Sequence, residues 1–166
     1  MPANDTSASN GKKPSYKSRK KNDSLENFGH LQPQAVELEQ AVLGALMIER
    51  DAYYQVSEIL RPESFYDNRH QIIYEAIRRL NLEEKPVDIL TVTEALRNTN
   101  QLEEAGGPFY ITQLSGMVAS SAHIEYHARI IAQKATARAL ISYTSGIQTK
   151  AFDATTDIDV LMQEAE

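Results

Sequence analysis

Cysteine is absent from the 166 residues, so neither a disulfide framework nor a thiolate metal site holds the fold, and the composition suits a reducing compartment. No long hydrophobic run is present either. The first thirty residues are too charged and polar to form the apolar segment of a secretory signal, and no later stretch is long and apolar enough to span a membrane. These absences point to a soluble, cytoplasmic protein. Proline does not recur after Pro108, strand-like alternation is scarce, and no segment repeats at a constant period, which argues against a solenoid. What remains is a chain long enough to bury roughly two-thirds of its unfolded surface in one ordinary domain.

Catalytic signatures are also missing. The one Gly-Lys pair, Gly11-Lys12, is followed by Lys13 and lies in a polar tail, so no phosphate-binding loop of the Gly-Lys-Ser/Thr kind is visible and ATP binding is not expected of these residues. His123 and His127 share a helical face, but a zinc peptidase needs glutamate directly after the first histidine and Ile124 stands there, with Glu125 one place on. Asp67 near His70 reads as a cap or an ion pair, and no serine stands in a nucleophile's setting. Gly106-Gly107-Pro108 reads as punctuation between helices rather than a phosphate cradle. No catalytic, cofactor or metal residue is assigned.

The net charge of −6 conceals an asymmetry. Residues 1–31 carry Lys12, Lys13, Lys17, Arg19, Lys20 and Lys21 against Asp5, Asp23 and Glu26, a balance of +3, which leaves residues 32–166 at −9. That body should repel a phosphate backbone. The opening tail is poor in large apolar residues and is expected to be disordered. Its basic run beside Tyr16 gives the alternative reading, a small helical DNA-binding regulator acting through the tail. The acidic or mixed helices that follow do not supply a basic recognition helix.

From Pro33 the periodicity turns helical. Leu38, Val42, Leu43, Leu46 and Met47 fall on one face of a helix predicted over Gln32 to Met47, with Pro33 in its first turn. A short helix through Tyr53, Val56, Ile59 and Leu60 stops before Pro62, a single turn covers Glu63 to Tyr66, and a third helix runs from His70 to Leu80. Asp88 is a good N-cap for a helix carrying Leu90, Val92 and Leu96. Pro108 at a first helical position opens another, with Phe109, Ile111 and Leu114 as its buried side. Ala122 to Phe152 then reads as one very long helix that outreaches a compact globule, with a bend or local break expected at Gly146. A last helix starts near Asp157.

The predicted fold is therefore all-α, a globular multi-helix head followed by a long helical hairpin: residues 1–31 tail, 32–120 head, 121–166 hairpin. Such a hairpin is too thin to cover its apolar residues on every side. Leu140, Ile141, Ile147, Ile158, Leu161 and Met162 are thus the candidate self-association residues, covered by antiparallel packing with a second copy.

A family resemblance joins these pieces. Pro33-Gln34-Ala35-Val36-Glu37-Leu38-Glu39-Gln40-Ala41-Val42-Leu43-Gly44 resembles the opening of the head of DnaB-type replicative DNA helicases. The family's order continues through Leu60-Arg61-Pro62-Glu63-Ser64-Phe65-Tyr66, Pro86-Val87-Asp88, Gly106-Gly107 before Tyr110 and Leu114, and Ile124-Glu125-Tyr126-His127-Ala128-Arg129-Ile130-Ile131, to Leu161-Met162-Gln163-Glu164-Ala165-Glu166. His127 departs from it, since the family more often shows alanine or an aromatic there. The resemblance implies a hexamer collar built from paired domains and a docking surface for primase, with a helicase loader as a further partner. It also implies a linker and a RecA-like motor outside these residues, where ATP, magnesium and DNA would be handled.

Overall fold

A computed structural model of the chain describes residues 31–117 and 121–165, and the tail, Leu31 apart, lies outside them. The described elements are seven α-helices and two 3-10 turns, and no strand occurs among them. The first helix, α1 (Val36–Ile48), sits at the centre of the core and buries Val42, Leu43, Leu46 and Met47 against later helices. It begins four residues later than the periodicity predicts. Ala35 is outside the helical region, with φ −149° and ψ 58°, and the Pro33 carbonyl accepts a bond from Arg138, so Pro33 belongs to the approach to the helix and not to its first turn.

Helix α2 (Ala52–Val56) is followed by the 3-10 turn Pro62–Ser64, pinned by the Arg61 amide donating to Ser64 Oγ at 3.0 Å. Asp67 then caps α3 (Asn68–Leu82) by accepting the Arg69 amide at 2.9 Å, which frees His70 for another partner. Helix α4 (Ile89–Asn98) starts at the predicted cap, where Asp88 Oδ1 accepts the Thr91 amide at 2.8 Å and the Asp88 amide donates to Thr91 Oγ1 at 2.9 Å. Before α5 (Gly107–Gly116), Gly106 takes φ +100°, a conformation glycine adopts without a Cβ penalty. Pro108 is the second residue of that helix, one place deeper than predicted.

Phe109, predicted as buried, faces outward, and so does Leu90. Phe109 is 82% exposed and Leu90 80%. The reason is helical geometry: Ile111 and Val92 point into the core, and a residue two positions earlier lies about 200° around the helix.

Helix α6 (Ile124–Phe152) runs unbroken through Gly146, against the predicted break, for about 43 Å at the standard rise. Its first half completes the head, since Ile124, Ala128 and Ile131 are buried in the core beside α1 and α2. The head therefore continues past residue 121, to Arg138. Beyond it, α6 pairs with α7 (Ile158–Ala165). No helix among the described residues is long and apolar enough to cross a membrane.

Candidate assembly surface

The hairpin is closed by local hydrogen bonds. Asp153 ends α6 and accepts both the amide and the hydroxyl of Thr155, at 2.9 and 2.8 Å, and the amide bond holds its carboxyl below the usual range. Asp157 accepts the Asp159 amide at 2.9 Å and starts α7. Further along, Lys150 Nζ donates to Glu164 Oε2 at 2.7 Å, and the Tyr143 hydroxyl donates to the Glu164 carbonyl. Between these ties Leu161 is buried and Ile147 half-buried. Both form the seam between α6 and α7.

The other four candidate residues face solvent: Leu140 is 61% exposed, Ile141 40%, Ile158 55% and Met162 59%. Tyr143, Phe152 and Val160 are exposed on the same two helices. The sequence reading missed this second set, although Tyr143 lies one helical turn from Leu140 and could have been found by the same spacing. Leu161 differs in kind from Met162, because its side chain already has a partner within the chain.

At the root of the hairpin, Arg138 reaches back to the head. Its guanidinium donates to the carbonyls of Pro33 and Ser64, both at 2.8 Å, and lies 5.6 Å from the centre of the Tyr66 ring. Inside the head, Glu39, His70 and Tyr110 form a buried polar chain linking α1, α3 and α5. His70 Nδ1 stands 2.6 Å from Glu39 Oε2 and Nε2 stands 2.6 Å from the Tyr110 hydroxyl, while Glu39 Oε1 accepts the Tyr66 amide at 2.7 Å. With Nδ1 donating to the carboxylate and the phenol donating to Nε2, every hydrogen along the chain has an acceptor. The Arg69 guanidinium lies 4.3 Å from the Tyr110 ring centre. His123 precedes α6 at an exposed position and His127 is partly buried on it.

With the head and hairpin in place, comparison with known proteins decides the family: the DnaB-like helicase N-terminal domain family matches residues 31–133. The chain belongs to the DnaB-like helicase N-terminal domain family. The replicative DNA helicase DnaB of Rhodothermus marinus is 51% identical to it over 141 residues, 85% of this chain and 15% of that protein. The DnaB of Geobacillus stearothermophilus is 42% identical over 134 residues, 81% of this chain and 30% of that protein. The DnaB-like domain thus spans less than a third of the length of either relative. Among solved structures, the N-terminal domain of DnaB helicase from Mycobacterium tuberculosis aligns with a TM-score of 0.76 at 32% identity, covering 81% of this chain and 98% of that one. A DnaB-like replicative helicase described with its interactions with primase aligns with a TM-score of 0.66 at 26% identity, covering 79% of this chain and 31% of that one.

Proposed function

We propose that this DnaB-like domain is an assembly and primase-docking module of a replicative DNA helicase and performs no chemistry of its own. The observation that carries the assembly reading is the pair α6–α7, which leaves Leu140, Ile141, Ile158 and Met162 in solvent after its own seam is filled. Covering these side chains with a second hairpin removes apolar surface from water at about 25 cal/mol per Å². Closed two-fold pairing is the commonest arrangement for identical chains, and paired domains would build the collar of a hexameric ring.

Primase docking is supported by the likeness to the DnaB-like helicase described with primase. A helicase loader is a further proposed partner. The acidic body argues against direct DNA contact by this domain, so DNA, ATP and magnesium are assigned to the motor of the helicase, and the cytoplasm is the proposed compartment. Titrating the chain with primase while following mass by light scattering tests the docking reading. A complex heavier than either component is expected, and unchanged masses at tens of micromolar would remove primase from the proposal.

A further inference from the structure

The segment Pro62–Asp67 is gripped from two sides. From the hairpin, Arg138 binds the Ser64 carbonyl at 2.8 Å and lies over the Tyr66 ring. From the core, the Glu39 carboxylate accepts the Tyr66 amide at 2.7 Å and the Asp67 amide at 3.4 Å. Tyr66 is therefore held by its ring on one side and by its backbone on the other.

The same carboxylate holds His70, which holds Tyr110 on α5. We infer that this segment is a coupling element, through which the seating of the hairpin root and the geometry of the buried Glu39–His70–Tyr110 chain are set together. Hydrogen bonds of 2.7 and 2.8 Å leave a few tenths of an ångström before they fall outside the productive range. A shift of the segment that relaxes the Ser64 carbonyl's bond to Arg138 therefore also moves the Tyr66 amide, two residues on, against Glu39. The fork of Arg138 matters as much as its charge, because one planar group spans two carbonyls from separate segments and a point-charge ammonium does not reproduce that span. All of these contacts lie within a single chain.

Hydrogen exchange in the full chain, followed by NMR, tests it. In Arg138→Lys, the Tyr66 amide and the His70 Nδ1 proton should exchange about fivefold faster or more, the lower end of ordinary site-to-site coupling. The buried Leu96 amide on α4 should stay at its wild-type rate. Arg129→Lys, which alters an exposed pair with Glu125 on the same helix, should leave the Tyr66 and His70 rates unchanged. Should Arg138→Lys fail to fold, Tyr66→Leu removes the ring and keeps the amide, and carries the same expectation for His70. A His70 proton exchanging at the wild-type rate in a folded variant would overturn the inference. So would an acceleration that includes Leu96 equally, which would mark general destabilisation.

Discussion

His70 Nδ1 lies 2.6 Å from Glu39 Oε2, and the two side chains are 0% and 1% exposed, although thirty residues of sequence separate them. Removing His70 leaves the buried Glu39 carboxylate with only the Tyr66 and Asp67 amides as donors among the described residues. His70→Ala should cost about 3–5 kcal/mol of folding stability in urea denaturation. Glu39→Gln, which keeps the shape and loses the charge, should cost about 1–3 kcal/mol. A loss well below 1 kcal/mol for His70→Ala would show that the pair does not hold α1 to α3.

Acidification should act through Asp67. The Arg69 guanidinium beside it holds its carboxyl below the usual carboxylate range. Because the folded value is the lower one, this contribution is complete above the unfolded value of about 4 and is lost as pH falls through the folded value. Asp67→Asn keeps a capping acceptor and drops the charge. With Arg69 partly exposed, the stability gap to wild type should be about 1 kcal/mol, steady above about pH 5 and narrowing below about pH 4. A gap that widens in acid would contradict this cause.

Two glycines should respond in opposite directions. At Gly106 the backbone has φ +100° and an added Cβ would stand 2.8 Å from Tyr110 Cδ1, so Gly106→Ala should cost about 1–3 kcal/mol and disturb the ring that anchors His70. Gly146 lies within α6 with nothing within 4 Å of an added Cβ. There Gly146→Ala should raise stability by about 0.5–1 kcal/mol. Thermal melts of the two variants, read against wild type, check both signs.

Helix order and type were legible from apolar spacing, as were the opening of a helix after Gly106 and the cap at Asp88, because these signals are local; α2, expected to run through Leu60 to the stop at Pro62, ends instead at Val56. The polar core was not. Glu39 lies on the face of α1 that carries Val42 and Leu43, a visible sign of a buried acid, but its partners come from helices distant in sequence. Asp67, read as a cap or an ion pair, is both, capping α3 and pairing with Arg69, while the partners of His70 come from α1 and α5. In the hairpin, apolar composition marked Leu161 and Met162 alike and could not separate Leu161, which is buried, from Met162 beside it, which is exposed. That distinction needs the rotation of α7 about its axis, which eight residues of sequence leave open.

The pairing of hairpins through this outward face is tested most directly by the mass of the chain in solution, measured by light scattering at tens of micromolar. Wild type should approach twice the 18.6 kDa of one chain. Ile141→Asp and Met162→Asp, each placing a charge on an exposed apolar position, should fall to the single-chain mass while keeping the helical circular dichroism of the head. A wild-type mass of one chain at every concentration would contradict the assembly reading, as would a dimer that both substitutions leave intact.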